Sequence, residues 1–274
     1  MATQEATLTL TERQQREAAF HDQWAESIDF TEIDPDITFE SPTALECRYI
    51  MEQLGDITGK SILDLGCGSG ESSVYFAKKG AVVTGTDISP GFIDVTKKLA
   101  AHHNVGVNAQ VSAAEKLPFP DNTFDVVFAN GVLHHVDISP TMAEIKRVLK
   151  PGGRGFFIEP LPYNPAINAY RIIAKEVRTP DERPLHRSDR KKIRAVFPET
   201  EIRGFWLFTL IVFLHFYFIE GANPNKERYW KKVLYEADRY KGLFGALKKI
   251  DDILLPAFPF LQGLCWNMVI SVRK

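Results

Sequence analysis

Residues 61–70 read Ser-Ile-Leu-Asp-Leu-Gly-Cys-Gly-Ser-Gly, a short apolar run ending in a glycine-rich turn, with a helical stretch from Glu71 to Lys79 behind it. A strand that turns sharply into a helix marks the ligand-binding corner of an open α/β sheet. Gly66, Gly68 and Gly70 let the backbone turn tightly and approach a ligand that a Cβ would push away. Their spacing is GxGxG, which is neither the dinucleotide pattern GxGxxG nor the phosphate-cradling GxxxxGK[ST]. Asp64 stands just before the turn, where a carboxylate repels a pyrophosphate and attracts an amino group. Cys67 reads as a small residue that fits the loop.

Around this corner, short runs rich in Val, Ile and Phe alternate with helical stretches. Strands are expected at Ser61–Leu65, Ala81–Thr86, Val105–Val111, Phe124–Ala129 and Gly153–Glu159, with helices at Glu71–Lys79, Pro90–His103 and Ser139–Leu149. Such alternation builds βαβ units on a parallel sheet, and Lys150-Pro-Gly-Gly stops the last helix sharply. Upstream, a helix is expected from Thr11 to Ile28, with Thr11 and Gln14 forming a capping box. Downstream, 196–208 reads as a strand, Asn225–Lys241 and Leu243–Leu255 as helices, and Leu264–Val272 as a last strand. One α/β domain results, with residues 1–55 as a helical lid, 56–160 as the ligand-binding half and 161–274 as a cap plus the last strands.

The second strand ends at Asp87, where a carboxylate at the sheet edge can hold ribose hydroxyls. A ligand with an ammonium, a ribose and no phosphate suits Asp64, the glycine turn and Asp87 together. S-adenosylmethionine (SAM) is such a ligand.

Five segments in order, ILDLGCGSG (62–70), GTDIS (85–89), AEKLPFPDNTFDVV (114–127), GVLHHV (131–136) and RVLKPGG (147–153), resemble the class I SAM-dependent methyltransferases, in particular the type 11 group. The likeness covers residues 60–160. It implies an α/β, Rossmann-like, doubly wound, mostly parallel sheet with a final antiparallel strand, binding SAM and releasing S-adenosylhomocysteine. No Cys/His cluster in the sequence has metal-ligand spacing, so no metal is expected. By position, Asp64, Gly66, Cys67, Gly68 and Gly70 would surround the methionine part and Asp87 would take the ribose. Ile88, Ala114 and Glu115 would border the adenine, and Asn130 would lie near the methionine backbone. One departure is Ala113, where the family often carries an acidic residue for the adenine amino group.

Methyl transfer is an in-line displacement that needs alignment and, for a hydroxyl acceptor, removal of a proton. His134 and His135 follow the fourth strand, and a histidine suits a general base near neutral pH. Glu159 ends the fifth strand on the same sheet edge and can orient a histidine. His186 is a further base candidate. The segment Phe20-His21-Asp22-Gln23-Trp24 is placed to sit over the cofactor edge if the first helix folds back.

The 274 residues carry 33 Lys and Arg against 35 Asp and Glu, with 45% hydrophobic residues, values of a globular chain with a full core. Residues 1–170 hold 13 basic and 23 acidic side chains, and residues 171–274 hold 20 and 12. This asymmetry reads either as two solvated faces or as a second half that faces something anionic, an acidic substrate or a lipid surface, while the overall balance argues against nucleic acid. Three scattered cysteines and the lack of an apolar leader in the first twenty residues point to the cytoplasm. The run Phe205–Ile219 is apolar on all faces, so it is expected to be buried or to meet lipid. These readings converge on methyl transfer to a small, largely apolar acceptor with room for an anionic group. The alternatives are a membrane-interface enzyme acting on a lipid or quinone-like substrate, with peripheral membrane contact, or a SAM-binding protein without catalysis.

Overall fold

The computed structural model describes residues 10–173 and 183–274. The amino-terminal part is helical: α1 (Glu12–Glu26), α2 (Pro35–Glu40) and α3 (Leu45–Leu54). Thr11 and Gln14 close the expected capping box on α1, satisfying two backbone N–H groups that a helix start otherwise leaves open. The alternating region then gives β1 (Ser61–Leu65), α4 (Glu71–Lys78), β2 (Val82–Asp87), α5 (Pro90–His102), β3 (Val107–Val111), β4 (Phe124–Asn130), α6 (Ile138–Val148) and β5 (Leu149–Pro160). The carboxyl-terminal part supplies α7 (Pro165–Ile173), α8 (Arg187–Val196), β6 (Glu201–Phe205), α9 (Ile211–Phe218), α10 (Tyr229–Tyr235), α11 (Ala237–Ala257) and β7 (Asn267–Arg273).

The seven strands form one sheet in the order β3-β2-β1-β4-β5-β7-β6. The first five are parallel and β7 runs antiparallel to both β5 and β6. Strand order reverses between β1 and β4, so the crevice beyond their carboxyl ends is the place where such a sheet binds a ligand. The central strands are buried on both faces: Ile62, Leu63, Val127 and Phe128 are fully enclosed. One face packs α3, α4 and the cap through Ile50, Phe76 and Phe128. The other packs α6 and α8 through Met142, Ile145 and Ile193.

Three expectations need correction. β5 begins at Leu149 and runs through Pro151-Gly152-Gly153, the pairing with β4 shifting between Phe124 and Val126. The proline and glycines thus end α6 while still lying in a strand. The late helices divide at Glu236, not at Gly242, which lies inside α11; a glycine costs a helix only about 1 kcal/mol, which packing overrides. The apolar run Phe205–Ile219 is neither wholly buried nor wholly exposed. Val212, Phe213 and Phe216 of α9 are buried, whereas Leu214, Tyr217 and Phe218 face outward. Residues 171–194, which carry an excess of Lys and Arg, include 174–182, which lie outside the described residues.

Candidate active site

A cavity of about 490 Å³ opens beyond the carboxyl ends of β1, β2, β4 and β5. Its floor is the glycine turn, and its three glycines do different work. Gly66, Gly68 and Gly70 all have positive φ, at 68°, 53° and 88°. A Cβ on Gly66 would stand 2.4 Å from Val132 Cγ2, and one on Gly70 would stand 2.9 Å from Thr96. Those two glycines admit neighbouring protein, and Gly70 does not line the cavity. Only at Gly68 does the missing Cβ leave open space. Gly66 and Gly68 line the cavity, and of these the space a Cβ would take is open at Gly68.

Two buried carboxyl groups sit beside the turn. Asp64 accepts a hydrogen bond from the Ser73 hydroxyl at 2.6 Å, and burial pushes its carboxyl up to about 7. Asp87 accepts from the Gly68 N–H at 2.9 Å and from the Ser89 N–H at 2.9 Å. Burial raises its pKa while these N–H groups pull it back. The cap of α5 is Ser89, which accepts from the Phe92 N–H. Asp87 thus fixes the glycine turn against β2 and also faces the cavity, along with Ile88. Cys67 is buried, its thiol raised well above the usual range by burial, with Sγ 3.6 Å from Thr96 Oγ1. Ala114, Glu115 and Asn130 line the cavity, whereas Ala113 does not.

The opposite wall carries the histidines. His134 Nδ1 lies 2.7 Å from Glu159 Oε2, and the other oxygen of Glu159 accepts the N–H groups of Val132 and Leu133 at 3.0 and 2.6 Å. Glu159 has no solvent exposure, so it holds the Val132–His135 turn from inside the sheet. His135 turns toward α1: its Nδ1 is 3.2 Å from Glu17 Oε2, while its ring lies 4.1 Å from that of His134. His186 begins α8, is exposed, and does not line the cavity.

Helix α1 closes one side. Gln14 donates to Glu115 at 2.9 Å, Asp22 accepts from the Ser89 hydroxyl and the Gly91 N–H, and Trp24 meets Phe92 edge-on. The Arg228 guanidinium stacks 3.7 Å over the Trp24 ring, joining α1 to the segment before α10. Of the cap, Tyr170 and Arg171 of α7, Trp230 and Lys231 of α10, and Trp206 and Trp266 line the cavity. Helix α9 does not; Phe213 packs behind Trp206 and Trp266.

Sequence reasoning missed Glu17 and Glu46. Glu46 on α3 is buried, raised by that burial, and accepts from Trp206 Nε1 at 3.0 Å and Asn267 Nδ2 at 2.7 Å. Both partners are more than 150 residues away, and no local pattern signals them. Glu17 lies four residues before His21 on one helical face, a spacing that was readable.

Residues 63–157 match the family model described as a methyltransferase domain. A ubiquinone biosynthesis O-methyltransferase of Coxiella burnetii is 38% identical over 111 residues, 40% of this chain and 47% of that protein. A ubiquinone/menaquinone biosynthesis C-methyltransferase of Desulfotalea psychrophila is 39% identical over 118 residues, 42% of this chain and 47% of that protein. The chain thus spans about half the length of these curated relatives. Among solved structures, the geranyl diphosphate C-methyltransferase of Streptomyces coelicolor superposes with a TM-score of 0.63 at 17% identity, covering 97% of this chain and 100% of that one. That likeness carries the fold across nearly the whole molecule, including the cap.

Proposed function

We propose that this chain, whose residues 63–157 match the methyltransferase-domain family model, is an enzyme that moves the methyl group of SAM to a nucleophilic atom of a small, largely apolar acceptor. The observation that carries this reading is the His134–Glu159 pair, 2.7 Å apart on the wall of the cavity that also holds Gly68 and Asp87. SAM supplies an electrophilic methyl on a sulfonium. Asp87 and Gly68 are assigned to its ribose side, and Asp64 to the electrostatics around its ammonium end. Ile88, Ala114 and Glu115 are assigned to the adenine side, and Asn130 to the methionine backbone.

His134 is assigned as the base for an acceptor that must lose a proton. Its Nδ1 is committed to Glu159, so transfer runs through Nε2. A carboxylate on one nitrogen fixes the ring's tautomer and stabilises the imidazolium that forms, the division of labour seen in other His–acid pairs. The indole walls of Trp206, Trp230 and Trp266 supply an apolar surface for the acceptor, and Arg171 and Lys231 supply cationic groups suited to an anionic substituent. The curated relatives are named for quinone biosynthesis, which makes ring-bearing apolar compounds the first acceptors to try.

The test is incubation with methyl-deuterated SAM and a panel of phenolic, thiol, amine and enolic apolar compounds, read by mass spectrometry. The reading predicts a deuteromethyl product and an equal amount of S-adenosylhomocysteine. SAM that binds and is never consumed would contradict it.

A second reading concerns where the acceptor is met. Among the described residues no helix is long and apolar enough to cross a membrane. Phe218 and Ile219 nonetheless stand 72% exposed, with Leu214 and Tyr217 on the same helix also facing outward. Apolar side chains of this kind on a cap rich in Lys and Arg support peripheral contact with an anionic bilayer. Flotation with vesicles containing anionic lipid tests it, and a chain that stays with the unbound protein at low salt rules it out.

A further inference from the structure

A second cluster shares the cavity and has no part in the reading above. Glu17 and His21 lie one turn apart on α1, and His135 reaches them from the turn after β4. Glu17 Oε2 is 3.2 Å from His135 Nδ1 and 3.6 Å from His21 Nε2, and one ligand atom from each of the three lies within 4.8 Å of the others. All three residues line the cavity.

We propose that Glu17, His21 and His135 bind a divalent transition-metal ion of the zinc class. Zinc takes His nitrogen and carboxylate oxygen at about 2.0–2.2 Å, which sets neighbouring donors about 3.3 Å apart in a tetrahedron. The two measured separations bracket that value. Two imidazoles and one carboxylate also select for zinc and its transition-metal neighbours over magnesium or calcium, which prefer oxygen donors.

The chemistry around the cluster agrees. The His21 nitrogen turned toward Glu17 is Nε2, so Nε2 is the donor this ring offers to the ion. Glu17 is only 4% exposed, so an ion on its carboxylate would be shielded from bulk water. Asp22 and Glu115 serve other groups: Asp22 accepts from Ser89 and Gly91, and Glu115 from Gln14 and the Asp137 N–H.

Three protein ligands leave at least one coordination position, as in catalytic rather than structural zinc sites. With all three residues on the cavity wall, that position would be reached from the cavity. The ligand class it takes is an acceptor oxygen, a hydroxyl or enol, whose proton a metal makes easier to lose. The site stands on its own geometry, so its test does not depend on methyl transfer.

Untagged protein, stripped with chelator, is titrated with Zn2+ against a chromophoric chelator and with Co2+ by visible absorption. Wild-type protein should bind one equivalent and give a cobalt d–d band. Glu17→Gln and His21→Ala should each weaken binding by more than about tenfold, the loss already seen when only a supporting group is removed. The exposed His102 at the end of α5 provides the control, and His102→Ala should leave binding unchanged. Should the site variants fail to fold, imidazole nitrogen resonances of the wild-type protein decide: Zn2+ should move those of His21 and His135. No stoichiometric binding by folded wild-type protein, full binding in folded Glu17→Gln, or shifts confined to His102 and His103 would each overturn the proposal.

Discussion

Glu159 divides its two carboxylate oxygens between a side chain and the backbone: Oε2 lies 2.7 Å from His134 Nδ1, and Oε1 receives the N–H groups of Val132 and Leu133. One buried acid at the end of β5 therefore fixes both the position of the turn after β4 and the orientation of its histidine. Replacing His134 by Ala should lower turnover about 10²–10⁴-fold for a hydroxyl acceptor, with SAM affinity nearly unchanged. Glu159→Gln keeps an oxygen for the backbone N–H groups, so it should fold, lower kcat and alter the pH profile. Losses below about tenfold in both variants would leave the pair a positioning role and point to a sulfur or amine acceptor.

Gly66 and Gly68 should respond differently to the same small change. At Gly66 an added Cβ meets Val132 at 2.4 Å with a φ of 68°, so Gly66→Ala combines a clash with left-handed strain and should lower Tm clearly. At Gly68 the space is open, and the strain alone costs about 1–2 kcal/mol. Gly68→Ala should stay folded and lose SAM affinity. Thermal melts and calorimetry on the two proteins check this, and equal SAM affinity in folded Gly68→Ala would remove that residue from the cofactor site.

Asp87→Ala should weaken SAM binding by roughly 1.5–3 kcal/mol, the scale for removing a charged hydrogen-bond partner. The same carboxylate holds the Gly68 and Ser89 N–H groups, so the glycine turn should also loosen, visible as faster amide exchange there. Unchanged calorimetric affinity in a folded variant would move the ribose elsewhere.

Asp64 should give the unliganded protein a pH-dependent stability. Its pKa is raised by burial from 3.8 to about 7, so between those values the folded state holds a proton that the unfolded state has lost. The contribution is full below about pH 4 and falls as pH rises through 7, on the order of a few kcal/mol. Denaturant titrations from pH 5 to 8 should show this fall, and Asp64→Asn should flatten it. An Asp64→Asn protein with the wild-type slope would assign the dependence to another group.

Much of the fold and part of the site were legible because they depend on local pattern. The apolar runs from Ser61 to Glu159 and the stops between them place five parallel strands to within a few residues. Glu159 and the histidines could be paired because both follow strand ends that a doubly wound sheet brings to one edge. The rest depends on contacts that no local pattern encodes. The spacing of Glu17 and His21 was readable on one helical face, but Glu17 meets His135 only because α1 packs across α5. The stacking of Arg228 on Trp24 links positions about two hundred residues apart. The role of each glycine turned on where its missing Cβ would point, which spacing alone does not reveal. In α9 the outward face of Leu214, Tyr217 and Phe218 is as apolar as the inward face of Phe213 and Phe216, so hydropathy could not tell the two apart.

The most direct test of the methyltransferase reading is a crystal structure with S-adenosylhomocysteine bound. It should show the ribose hydroxyls on Asp87, the amino-acid end beside the Gly66–Gly68 turn, and the sulfur turned toward His134 and the space in front of it. A ribose away from Asp87, or a sulfur facing a wall remote from His134 and Glu159, would contradict it.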